Sequence, residues 1–317
     1  MEDEPIEQLG KGAIVDPYDP RDYTAEIRFG AAEPIDWSKE LRLEEPVDFN
    51  QGSSGSCVGC GTRNLHWQIN PKDFSRRDIY SQIFIKPDGG AYLRDGVKLL
   101  CDIGNQTQDE CPDPKNPTEA LMRIKSSLPP SAGADDKEFA YFVVKNNLID
   151  AVAQTVRDYK GSIFGVVGSN AGWSDKTNPR PPKSGEELWQ HCIKAFGYHM
   201  HDGQKCIIAK SSWCRGSHHE HHIKENYFTS GNTFNAWCVI PKEEIMATNS
   251  IIVKRQVGTK ENGEAIWEYG IYDPDTAEAG LIGDLRNRGV TPPLKTDGTL
   301  DWEKLEQMVS GIIIPNK

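Results

Sequence analysis

The chain lacks a long apolar run. No stretch of its 317 residues approaches the roughly 20 consecutive apolar residues that a membrane-spanning helix requires, so a helical membrane protein is excluded. It also lacks positive charge in excess: 47 acidic against 36 basic side chains leave a formal net charge of -11. That sign repels a phosphate backbone, and nucleic acid is not an expected partner. Met1-Glu2-Asp3-Glu4-Pro5 is without the basic and apolar regions of a secretory signal, which implies a cytoplasmic or otherwise non-secreted protein. Internal repeats and long low-complexity segments are absent. Disulfides are not expected either. The eight cysteines (57, 60, 101, 111, 192, 206, 214 and 238) belong to a long chain without a signal, where thiols stay reduced. Cys57-Val58-Gly59-Cys60 is a C-x-x-C, but no second one accompanies it, so a tetrahedral zinc set is incomplete locally.

What is present is organised around Gln51-Gly52-Ser53-Ser54-Gly55-Ser56-Cys57. Gly52 and Gly55 permit a tight turn rich in exposed backbone. Beyond it, Val58, Leu65 and Ile69 fall on one side of a helix. A thiol in the first turn of a helix faces unpaired N–H groups and the positive dipole end, which favours the thiolate. A thiolate is the nucleophile of cysteine catalysis and needs a general base and an oxyanion site. The alternative is a buried free cysteine in a Gly-rich turn.

Residues 1–34 are charged and punctuated by proline, and read as an extended, turn-rich N-terminal arm. Further helices are expected near 75–85, 91–101, 118–126, 137–146 and 148–159, with Asp88-Gly89-Gly90 as a break. Ser162–Gly168 reads as a buried strand, and strands follow at 191–198, 205–210 and 237–241. A helical first half and a stranded second half make an α+β fold of two lobes. The main domain is expected over 35–246, with a helical lobe at about 50–130 and a β lobe at about 160–246. Residues 247–317 read as an appendage, with strands at 251–257 and 266–272 and short helices at 277–288 and 301–310.

His191 opens one strand and Lys210-Ser211-Ser212-Trp213 ends the next, so the two can meet across a sheet. Together these segments resemble the papain-like cysteine peptidases. Gln51 through Cys57 matches the family segment that places an oxyanion glutamine six residues before the nucleophile. His191-Cys192-Ile193-Lys194-Ala195-Phe196-Gly197-Tyr198 resembles its histidine strand, and Ile207 to Trp213 its Lys-Asn-Ser-Trp strand. His191 follows Cys57 at a separation within the roughly 130–150 residues this family keeps. Asp19-Pro20-Arg21-Asp22-Tyr23 with Pro34-Ile35-Asp36-Trp37 resembles bacterial-type members without a long pro-segment. The likeness covers about residues 16–245.

The resemblance implies a papain-like two-lobed fold, its helical lobe carrying the nucleophile and a β-barrel-like lobe the histidine. It implies hydrolysis of peptide bonds by a Cys57 thiolate paired with protonated His191, through an acyl-enzyme. Gln51 and the Cys57 backbone N–H would hold the oxyanion, Gly89 and Gly90 would bind extended substrate, and Trp213 would cover the histidine. Ser211 stands where the family has asparagine and is the expected partner of His191. Val58 replaces a large aromatic, and Ser54 replaces a cysteine that family members use in a disulfide. The partner expected is a peptide or protein substrate, with no cofactor and no metal. The alternative is a catalytically weak or inactive papain-like module of a larger assembly such as a virus particle, docked through residues 1–34 and 247–317; acyl transfer to an amine is a third reading. His218-His219-Glu220-His221-His222 could bind a metal if helical, but it reads as a solvated polar loop. Cys192, Cys206, Cys214 and Cys238 read as core thiols.

Overall fold

The computed structural model describes residues 10–19, 22, 34–46, 50–127, 139–144, 148–213, 220–241, 251–259, 265–272 and 295. The chain divides into two compact units, Met1–Ala25 with Ala32–Lys242, and Glu26–Ala31 with Glu243–Lys317.

The first unit opens with two short strands, β1 (Ala13–Ile14) and β2 (Leu41–Arg42). Helices α1 (Cys57–Ile69) and α2 (Arg76–Ile83), strand β3 (Ala91–Tyr92), and helices α3 (Leu93–Asp102) and α4 (Glu119–Met122) come next. Strand β4 (Phe139–Val144) and helix α5 (Ile149–Tyr159) lead to β5 (Ser162–Ser169), β6 (Leu188–His201) and β7 (Gln204–Lys210). Strand β8 (Glu220–Lys224), helix α6 (Glu225–Thr229) and strand β9 (Thr233–Pro241) complete it.

Helix α1 starts at the cysteine because the Gly/Ser turn before it cannot continue a helix, and it is buried from Cys57 to His66. Only close neighbours allow that. A Cβ on Gly59 would stand 3.0 Å from the Arg76 carbonyl oxygen, and one on Gly61 3.0 Å from the Cys192 sulfur. The two glycines therefore let α1 fit between α2 and the sheet. Helix α2 begins where the Ser75 hydroxyl accepts the Asp78 N–H at 3.0 Å, the ordinary role of an N-cap serine. Val58 and Leu65 of α1, Ile79 of α2 and Val97 and Leu100 of α3 share one core with Ile163, Trp237 and Val239 of the sheet. Each such side chain contributes about 1.5–3 kcal/mol when fully buried.

The sheet runs in the order β4-β9-β5-β6-β7-β8, with β2 also paired to β6, and every pairing is antiparallel. It is not closed into a barrel: β4 and β8 stand at its two ends among the described strands. The architecture is α+β, with helices and sheet meeting along α1.

Two expectations are corrected. The helix expected at 137–146 is strand β4, paired with β9 from Phe139↔Pro241 to Val144↔Ala236; Phe139, Tyr141, Phe142, Val143 and Val144 are aromatic or β-branched and suit a sheet edge. The histidine run at its C-terminal end is not a loop but enters β8, paired with β7. In the second unit, β10 (Ile251–Thr259) and β11 (Ala265–Tyr272) form an antiparallel hairpin. The helices expected at 277–288 and 301–310 lie outside the described residues.

Candidate active site

Cys57 is the first residue of α1 and is fully buried. The backbone of Cys192, Gly12 and Val58 lies near its sulfur and favours the charged form. Cys192 follows His191 on β6, so the candidate nucleophile Cys57 lies against the strand that carries His191. Burial outweighs these backbone groups and pushes the Cys57 thiol up to about 12. This corrects the expectation that the dipole end of α1 keeps a thiolate here. Desolvation of a charged sulfur costs more than one helix end returns.

His191 is also fully buried. Burial, then the nearby charges of His221 and Lys11, hold it well below its ordinary value, so it is neutral. Its ring stacks on Trp213, with centroids 3.8 Å apart and planes at 21°. Neither ring nitrogen has a hydrogen-bond partner among the described residues. Ser211, the expected partner, gives its hydroxyl to His221 Nε2 at 2.7 Å. That expectation is therefore corrected: Ser211 contacts a second histidine instead. His221 comes from β8, is buried, and packs its ring 4.9 Å from that of Trp173.

The chain's own arm reaches both candidates, with Gly12 near Cys57 and Lys11 near His191. The N–H of Gly10 donates to the Gly52 carbonyl at 2.9 Å, and the Gly12 carbonyl accepts from Ala91 N–H at 2.8 Å. Strand β1 then runs parallel to β3, with Ala13↔Ala91 and Ile14↔Tyr92. The Gly10 carbonyl accepts two side-chain donors, Gln51 Nε2 at 3.0 Å and Trp213 Nε1 at 2.8 Å. Only glycine fits at both places: a Cβ on Gly10 would lie 1.8 Å from the Ser54 carbonyl oxygen, and one on Gly12 2.1 Å from that of Gly55. Asp16 anchors the outgoing end, accepting from Trp237 Nε1 at 2.7 Å and from the backbone of Arg94 at the start of α3. Burial raises the Asp16 carboxyl to about 6.

The remaining expected residues fall around this segment. Gln51 also donates to the Ser54 carbonyl at 2.5 Å and accepts from the Ser212 hydroxyl, so its amide is held with the nitrogen toward the arm. Gly89 and Gly90 line the opposite side, but the backbone groups of Gly90 are already used: its N–H by the Tyr80 hydroxyl at 2.9 Å and its carbonyl by Ile85. Ala91 supplies the hydrogen bond to the arm instead. Tyr80 in turn donates to Glu119 Oε1 at 2.6 Å, and Glu119 Oε2 accepts from Gly55 N–H at 2.6 Å. Sequence reasoning read an extended arm without placing it at the site, and gave Glu119 and His221 no role there. Alternation along a strand would have separated His221 from His222, but the run does not resemble a strand in composition.

The fold is that of the papain-like cysteine proteases. It is similar to xylellain, a cysteine protease from Xylella fastidiosa, at 19% identity and a TM-score of 0.60, covering 74% of this chain and 97% of that one. It is similar also to the digestive procathepsin L2 proteinase of the Tenebrio molitor larval midgut, at 15% identity and a TM-score of 0.55, covering 76% and 81%. No family model matches the chain, and no curated protein matches it in sequence.

Proposed function

We propose that this protein is a cysteine peptidase whose cleft is closed by its own residues 10–14. The observation that carries this reading is the Gly10 carbonyl: a backbone carbonyl of the chain itself accepts from the Gln51 amide, the donor expected to hold an oxyanion, and from Trp213 Nε1. A substrate carbonyl needs the Gln51 donor when its oxygen gains charge. With the arm displaced, water returns and the neutral thiol and imidazole become a thiolate and an imidazolium. The proton moves within the pair, so this step takes up none from solution. Cys57 then attacks the peptide carbonyl, and Gln51 Nε2 with the Cys57 backbone N–H stabilises the oxyanion. His191 passes its proton to the leaving amine, and the thioester is hydrolysed by a water that His191 deprotonates. Trp213 shields the imidazole, and Ser211 with His221 forms the wall behind it.

The inactive-module reading has one observation in its favour, the missing partner of His191. A single experiment separates the two. In Gly12→Val the arm cannot occupy its place, and an irreversible thiol-peptidase probe is expected to add once, at Cys57, by mass spectrometry. Peptide turnover should accompany the labelling. A folded Gly12→Val chain that neither labels nor turns over peptide would end the peptidase reading.

A further inference from the structure

Away from the cleft, three adjacent strands place four metal-ligating side chains on one face. His199 and His201 are two apart on β6 and so point to the same side. Cys206 of β7 is the register partner of His199. His222 of β8 pairs with Ile208, two residues from Cys206 and on the same side. The ligand atoms of His199, Cys206 and His222 all lie within 4.8 Å of one another. His199 Nε2 and His222 Nδ1 approach to 3.0 Å, and the His201 ring centroid is 4.6 Å from that of His222. We propose that His199, Cys206 and His222 bind a zinc ion, with His201 or water as fourth ligand.

The chemistry of the set supports this. Imidazole and thiolate are the ligands of closed tetrahedral zinc sites, with bonds of about 2.0–2.3 Å, so the ligand atoms need to draw in by about 1 Å. The imidazoles are already in their ligand form: burial first, then the charges of His199 and His201, lower His222 to about 4, and burial lowers His199. Burial raises the Cys206 thiol to about 12, so it carries its proton at neutral pH. Binding therefore releases one proton to solvent and replaces it with the cation, which stabilises the thiolate. An outer carboxylate is also in place: Glu40 Oε2 lies 3.9 Å from His199 Nδ1, the nitrogen that does not face His222. A ligating histidine commonly gives its second N–H to such a group. The neighbouring cations are each matched by an anion, Arg42 by Glu40 and Glu220 and Lys224 by Asp202. The set lies roughly 25 Å along β6 from His191 at about 3.3 Å per residue, so its ion would clamp β6, β7 and β8 without touching the reacting atoms.

Zinc chloride titrated into the folded full-length Cys57→Ser chain tests the site without competition from the nucleophile. One ion per chain is expected to remain after desalting, with a rise in Tm and release of one proton. Cobalt in place of zinc should show a thiolate charge-transfer band that Cys206→Ser removes. His199→Ala or His222→Ala is expected to weaken binding by about 100-fold or more, and Glu40→Gln by about tenfold. If His199→Ala fails to fold, His222→Asn and Glu40→Gln carry the same test. No retained zinc at micromolar metal overturns the proposal. So does binding that survives His199→Ala and His222→Ala but is lost on joint replacement of His218 and His219.

Discussion

Strand β6 carries histidines at both ends, and the two ends have opposite surroundings. At the cleft end, His191 is buried beneath Trp213, with neither nitrogen bonded among the described residues. At the far end, His199 and His222 turn nitrogens toward each other at 3.0 Å across the sheet. Both ends keep their imidazoles neutral by burial, but the cover differs in kind. The far-end histidines lie half-buried on neighbouring strands of the sheet itself. The cleft end is covered by a segment outside that sheet, held by hydrogen bonds at Gly10 and Gly12 and by the pairing of β1 with β3. The histidine at the cleft end is thus fully buried, whereas those at the far end keep part of their surface in solvent.

Experiments that separate the two ends can break this comparison. The largest effect belongs to Cys57→Ala in a chain opened by Gly12→Val: peptide turnover should fall by about a thousandfold or more, while zinc binding at the far end stays unchanged. Gln51→Ala in the same opened chain should lower kcat by about 10²–10³ through loss of one oxyanion donor, measured on a peptide substrate. A change confined to KM would remove Gln51 from that role. Gly12→Val alone should raise the rate of Cys57 labelling by about 100-fold, the scale of a local opening cost of about 3 kcal/mol. If labelling is equally fast in the unaltered chain, the arm is not a barrier.

The smallest effect is a pH dependence that belongs to the cleft end only. The docked Asp16 carboxyl is raised to about 6 from 3.8, chiefly by burial and against the pull of its Trp237 and Arg94 hydrogen bonds. The docked arm therefore binds more protons than the free arm between about pH 4 and 6. Docking strengthens as pH falls through 6 and levels off below 4, reaching about tenfold by pH 5 relative to pH 7. Amide exchange at Ala13, corrected for its intrinsic rate, should slow by that factor, and Asp16→Asn should flatten the profile. Faster exchange on acidification would reverse the sign.

Much of the frame was legible along the chain. The Gly/Ser turn, the helix from Cys57, the apolar strand at Ser162 and the hairpin of β6 and β7 are local patterns, and they emerge close to where periodicity put them. β4 was misread because its run of apolar residues fits a helical wheel as well as a strand, and only pairing with β9 decides between them. The Gly10–Gly12 stretch carries no periodicity at all. Its role depends on Gln51 and Trp213, which lie far from it in sequence and meet it only across the folded sheet.

The order of chemically capable residues, and the places where glycine lets backbones approach, were set by the amino-acid sequence itself. Which of those residues face each other was decided by the tertiary structure. Strand register sends His221 inward to Ser211 and its neighbour His222 outward to His199, because successive side chains on a strand point to opposite faces. Whether Cys57 is a thiol or a thiolate was likewise left to the folded state, since the charge of a sulfur depends on the water that packing allows around it.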